Sequence, residues 1–398
     1  MIRASTALTA HVGLLVGLLG WWLHAPARAE SQPPTSTAPR YQVDPFWPEN
    51  LPNNWMLGHV EGIVVDQQDH VWVLHHSSTM DHPHAHSPKF VDHSDMGLAQ
   101  DPPISECCIP APEVIEFDAS GKVVQAWGGH GHTPDWPEAV HGFWVDKQKN
   151  VWITGNHAPD RHALKFSSDG KKVLLKIGEF IGDGGRAEKV EPDNQNTALL
   201  GGPTGITVDD EAQEVYIADG NVNKRIVVYD SQTGAFKRGW GAYGIALSEI
   251  DNKKNSSHKY DPTVPAKQFK VETVRIANDG LVYVSDKGSA RVQVFTKAGK
   301  FIKEFFVARE TLSGPGTTLG MTFSRDPQQK YLLVSDGSNN TVRIFDRDRG
   351  VQVSTVGRQG RNAGQFDTPL PVAVDSRGSL YVGEVKYNNR LQRFVLEK

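Results

Sequence analysis

Three groups of residues in this 398-residue chain have the side chains and the spacing to do chemistry. The first lies in residues 75–113, which hold six histidines (His75, His76, His82, His84, His86 and His93) and both cysteines. His82, His84 and His86 alternate with Pro83 and Ala85. Alternate side chains of an extended strand face one way, so three imidazoles can converge on a zinc or copper ion; the competing reading is a solvated polar loop. Cys107 and Cys108 are adjacent. Neighbouring Cα atoms lie about 3.8 Å apart, below the usual disulfide span, so the pair is a strained vicinal disulfide, a thiolate metal pair, or two buried thiols. The second group is Glu61, His141 and Glu272, which stand at equivalent points of three sequence repeats. Two carboxylates and an imidazole form a donor set for a divalent cation; otherwise they hydrogen-bond water and neighbouring backbone. The third comprises His76, which can move a proton, and Lys287, Asn221 and Arg161, which can bind an anionic substrate.

The repeats supply the elements that must position these groups. Residues 203–241 read as four short β-branched and aromatic runs broken by Gly, Asp and Asn, the pattern of four strands joined by hairpins. Similar units occupy residues 141–178, 271–306 and 320–357. Residues 61–129 form a fifth, split by the His/Cys tract, and residues 371–398 a sixth with three strands. A period of about 40 residues with four strands per unit predicts an all-β, six-bladed β-propeller over residues 41–398. The segment Tyr41 to Gly58 is expected to supply the missing strand and close the ring, leaving no unpaired edge. First strands line the channel in such a ring. Counting back five residues from each acidic turn then sets Glu61, His141, Thr204, Glu272, Leu319 and Leu370 on one level.

Charge and address narrow the function. With 42 basic and 46 acidic side chains, the net charge of -4 predicts no nucleic-acid partner. Arg3, an apolar stretch from about Ala7 to Leu23 and the sequence Ala27-Arg28-Ala29 read as a signal peptide over residues 1–29. The competing reading is an uncleaved anchor, for which the apolar run is short. Residues 30–40, rich in Pro, Ser and Thr, read as a flexible linker. The expected address is periplasmic or secreted, with no membrane insertion after cleavage.

The recurring V/I-x-V-D turn, Y-V-x-D corner and R-I/V-x-x-F strand resemble the NHL repeat. The context V-H-G-F-W-V-D around His141 is similar to the P-H-G-L-x-x-D motif of the peptidyl-α-hydroxyglycine α-amidating lyases. That resemblance implies a six-bladed propeller that binds zinc through three histidines, holds a channel calcium and cleaves an N–Cα bond of a hydroxyglycine. On this chain His141 matches one zinc ligand, while the other ligand positions fall on Glu272 and Leu370. The family's two arginines fall on His76 and Lys287, and its catalytic tyrosine on Asn221. The expectation is a propeller with a divalent metal (Zn or Ca), acting as a lyase or hydrolase on a small polar substrate. The alternative is a non-catalytic propeller that binds a protein or glycan ligand.

Overall fold

The computed structural model describes residues 38–80, 109–157, 159–181, 190–253, 260–263, 266–312, 314–386 and 388–397. His82, His84, His86, Cys107, Cys108 and residues 1–29 lie outside them. Six four-stranded antiparallel sheets form the blades. Their inner strands are His59–Val65, Val140–Val145, Gly205–Asp209, Val271–Ile276, Met321–Phe323 and Pro369–Val374. The first five blades take their strands in chain order. The sixth is completed by Tyr41–Asp44, whose partners run from Tyr41↔Leu396 to Asp44↔Arg393. The expected closure therefore uses only the start of residues 41–58. Arg40 also takes part, its carbonyl accepting from the Glu397 N–H. Further on, Trp47 packs against Phe117 and Tyr381, and Trp55–Met56 pairs in parallel with Ile109–Pro110.

Hydrophobic burial follows the ring. Among the described residues there are six buried clusters, each joining two neighbouring blades. Trp72 and Leu74 of blade 1 meet Phe143 and Ile153 of blade 2; Val60 and Val73 of blade 1 meet Ala373 and Tyr381 of blade 6. A blade buries both faces only when both neighbours are present, which is why one unit cannot stand alone. Among the described residues no helix is long and apolar enough to cross a membrane.

Acidic residues pin the turns. The Oδ1 atoms of Asp66, Asp146 and Asp375 each accept two backbone N–H groups of the following turn. Their Oδ2 atoms accept from Trp72, Trp152 and Tyr381 of the next strand. At the second corner Asp219, Asp286 and Asp336 pair with the arginines of their own third strands: Arg225 at 2.8 Å, Arg291 at 2.9 Å and Arg343 at 2.7 Å. Arg225 and Arg291 also donate to carbonyls of the segments entering their blades. A guanidinium offers enough donors to meet its carboxylate and several carbonyls together.

A second recurring device holds adjacent blades at the axis. Inner strands of blades 1, 2, 4 and 6 shift register between Val60/Gly62, Val140/Phe143, Val271/Val274 and Pro369/Val372. These bulges turn an extra side chain toward the channel and take an N–H off the ladder. The N–H groups of Gly142 and Thr273, and that of Gly320 before the blade 5 inner strand, instead donate to Thr154 Oγ1 (3.1 Å), Ser285 Oγ (2.8 Å) and Ser335 Oγ (2.7 Å). Each hydroxyl then donates to the next blade, at Pro203, Leu319 and Leu370 carbonyls respectively. Neighbouring strands approach so closely that a Cβ on Gly205 would lie 2.5 Å from the Glu272 carbonyl oxygen. Substituting Ser335→Ala leaves the buried Gly320 N–H without an acceptor, which costs about 1–3 kcal/mol. Urea unfolding should show that loss.

Candidate functional site

The bulges gather the axial residues at one mouth of the channel. His141 Nε2 lies 3.2 Å from Glu272 Oε1 and 3.7 Å from Glu61 Oε2. Its Nδ1–H donates to the Thr204 carbonyl at 2.7 Å, which fixes the ring. Lys287 Nζ pairs with the other Glu272 oxygen, Oε2. Thr204, Leu319 and Leu370 complete the level as buried residues. Sequence counting missed His59, whose Nδ1 is 3.8 Å from Glu61 Oε1; the signal was present as His59-Val60-Glu61, two polar residues at strand spacing.

Charge is distributed unevenly over this cluster. Burial, only partly offset by His141, pushes the Glu61 carboxyl up to about 7. Burial acts the same way on Glu272, but Lys287 and His141 overcome it and hold that carboxyl at about 2. His141 is raised because the two carboxylates outweigh its burial.

Other expected site residues are bonded to loop backbone and hydroxyl groups. His76 Nε2 meets the Glu138 carbonyl at 3.2 Å and Ser78 Oγ at 2.8 Å. Asn221 Nδ2 donates to the Asn156 carbonyl, and Arg161 Nε to that of Leu200. All three therefore have bonds that join segments of the first three blades. His75 is fully buried with both ring nitrogens engaged, Nδ1 accepting from Gly58 N–H and Nε2 donating to the Pro112 carbonyl. Burial pushes it down to about 4, so it is a neutral structural histidine and not a proton carrier.

The ends of the 75–113 insertion are anchored over this mouth. Buried Glu113 accepts from Ser77 N–H at 3.0 Å, Ser77 Oγ at 2.7 Å and Trp136 Nε1 at 2.7 Å. Beside the mouth lies a cavity of about 310 Å³ lined by Lys287, Lys270, Ser289, Thr317 and Leu312.

A candidate metal site of a different kind sits at the other end of blade 1. Asp66, His70 and Glu116 are the one trio among the described residues whose ligand atoms lie within 4.8 Å of one another. Glu61 and Glu272 therefore flank His141 without closing on each other. In the Asp66 trio, Lys149 Nζ is already 2.9 Å from Asp66 Oδ2 and 3.5 Å from Glu116 Oε1, and Gln125 donates to Glu116 Oε2 at 2.6 Å. An ammonium thus supplies the positive charge there.

No protein-family model matches the chain. It is 23% identical over 355 residues to peptidyl-glycine alpha-amidating monooxygenase B of Xenopus laevis, covering 87% of this chain and 35% of that protein. It is 25% identical over 397 residues to peptidyl-alpha-hydroxyglycine alpha-amidating lyase 1 of Drosophila melanogaster, covering 92% and 63%. NHL repeat-containing protein 3 of Homo sapiens matches at 25% over 229 residues, 56% of this chain and 55% of that one. The chain thus spans about a third of the Xenopus protein and under two thirds of the Drosophila one. Among solved structures, a streptogramin B lyase superposes with a TM-score of 0.50 at 12% identity, over 90% of this chain and 98% of that one; this likeness is one of fold. The chain is an NHL-like six-bladed propeller with sequence similarity to the amidating lyases.

The raised Glu61 carboxyl has a thermodynamic signature. Folded Glu61 keeps its proton until pH approaches about 7, whereas an unfolded glutamate releases it near about 4.3. Between those values the folded state binds more protons, so its stability falls as pH rises; the contribution is fully present below the unfolded value and gone above the folded one. Denaturant unfolding of chelator-treated protein should therefore show a decline across this window that is smaller in Glu61→Gln. Parallel curves for the two proteins would contradict the assignment.

Proposed function

We propose that this propeller is a metal-dependent lyase or hydrolase acting on a small polar substrate at the axial mouth. The observation that carries it is His141, whose Nε2 faces Glu272 Oε1 and Glu61 Oε2 while Nδ1–H is fixed on a backbone carbonyl. Metal-bound imidazoles make this kind of orienting bond through their second nitrogen. His141, Glu272 and Glu61 would hold the ion. An imidazole with carboxylates suits zinc, and carboxylate oxygens alone suit calcium. A bound ion there activates water or polarises a carbonyl.

The chain's own residues supply orientation and substrate charge recognition. Lys287 holds Glu272 Oε2 and so aims Oε1 at His141. Lys287 and Lys270 both line the adjoining cavity, where two ammonium groups and nearby hydroxyls suit a substrate carboxylate. A peptide ending in α-hydroxyglycine carries such a carboxylate, and similarity to the Drosophila lyase makes it the first substrate to assay. The signal-like residues 1–29 support export to the periplasm or beyond.

The test is metal content by mass spectrometry, with peptide cleavage measured in parallel. The purified mature protein should carry a divalent ion, and His141→Ala and Glu272→Ala should each weaken its retention by at least about tenfold. If neither substitution lowers metal content, the reading fails. Retained metal binding with no turnover on any carboxylate-bearing amide would favour the binding propeller.

A further inference from the structure

The opposite mouth of the channel has no part in the proposed reaction, yet it opens into a funnel of about 650 Å³ lined by residues of all six blades. This is within the ordinary range of small-ligand pockets. Between the mouths the channel narrows to about 30 Å³, room for about one water. The funnel is therefore a separate chamber. Arg275, half-buried, lines both the narrow part and the funnel.

Arg275 differs from the arginines that stand at the second corners of the blades. Arg225, Arg291, Arg343 and Arg390 each pair with a carboxylate. Arg275 has none within 4.0 Å among the described residues, and its acceptors are neutral: Met321 O at 3.1 Å from Nε, then Ile206 O, Thr207 Oγ1 and Val274 O around Nη1. Nη2 has no acceptor among the described residues. The guanidinium lies over Trp144, 5.2 Å from the ring centroid, and the buried Trp144 Nε1 has no hydrogen-bond partner among those residues. Exposed Arg325 on blade 5 also lines the funnel, donating to the Val374 carbonyl and pairing with no carboxylate among the described residues.

The acids of the lining are mostly neutralised. Asp66 is paired with Lys149, Asp146 with Lys165, Asp209 with Lys297 and Glu211 with Lys147. Asp210 alone lacks a cation within 4.0 Å among the described residues; its Oδ1 accepts from the Lys147 N–H. Arg275 at the floor thus has no carboxylate within 4.0 Å among the described residues, and Arg325 on blade 5 feels Asp69 and Asp375 only at a distance. Burial pushes the Arg275 guanidinium down to about 10, which still leaves it charged near neutral pH.

We propose that this funnel is a second ligand site, distinct from the axial one, that takes a small oxyanion, a carboxylate or phosphate, on Arg275 and Arg325. A planar guanidinium with unused donors matches two oxygens of either group, and the Trp144 ring beneath it keeps it in plane. The unpaired Asp210 limits the ligand to small anions and disfavours polyanions.

Isothermal titration of the full mature protein with succinate and, separately, inorganic phosphate tests this and tells the two sources apart. Saturable binding of at least one is expected, weakened at least about tenfold by Arg275→Lys, which keeps charge but loses the fork. Because Arg275 also bridges backbone carbonyls of blades 3 to 5 and Arg325 bonds the Val374 carbonyl, unfolding of each variant is measured alongside; Arg325→Ala, at an exposed residue, should weaken binding several-fold beyond any change in stability. Absence of saturable binding for both anions, or binding indifferent to both substitutions, overturns the proposal.

Discussion

Each bulge that turns a side chain toward the axis strands a backbone N–H, and a buried N–H without an acceptor is costly. The hydroxyls of Thr154 and Ser285 resolve this in blades 2 and 4, and Ser335 serves Gly320 in the same way; each accepts within its own blade and donates to the next. One side chain thus maintains the distortion that builds the site and the contact that closes the ring. In blade 1 an imidazole makes a different bridge, within the blade. His75 Nδ1 accepts from Gly58 N–H just before the inner strand, while Nε2 grips the Pro112 carbonyl at the far end of the insertion. A histidine there couples the base of the insertion to the axis, which a hydroxyl is too short to do.

Burial then sets the electrostatics. Fully ionised, Glu61, Glu272, His141 and Lys287 sum to zero charge, and what remains against ionisation is the burial of the carboxylate that Lys287 does not reach. Burial therefore makes Glu61 hold its proton to near neutral pH. Elsewhere the fold answers buried charge by pairing, as at the Asp–Arg corners, or by an ammonium between acids, as with Lys149 at Asp66 and Glu116. Among the described residues the axial cluster and Arg275 are two places that depart from that rule. Departures of this kind concentrate at functional sites, where a ligand completes the charge balance.

Placing those departures at opposite ends of a narrow channel has a consequence for chemistry. The ring offers two chambers whose walls come from the same inner strands, one acidic at its floor and one basic. Arg275 lines the narrow part together with Glu61 and His141, so an anion held on Arg275 and a cation held on Glu61 would face one another across it.

The period of the repeats, the turn aspartates, the corner arginines and the closing strand were all legible in the chain, because each is a local rule of β structure repeated at fixed spacing. The axial level could be counted as well, since the bulges fall at equivalent points of blades 1, 2, 4 and 6. Distance could not be counted. Whether His141 touches Glu272, whether His76 and Asn221 are spent on joining blades, and where Lys149 places its ammonium depend on contacts between residues far apart in sequence. Arg275 is the plainest instance. By position it is one more residue of an inner strand, and only the closed ring shows that no carboxylate of the described residues reaches it, because an absent partner is a property of the whole enclosure and has no local signature.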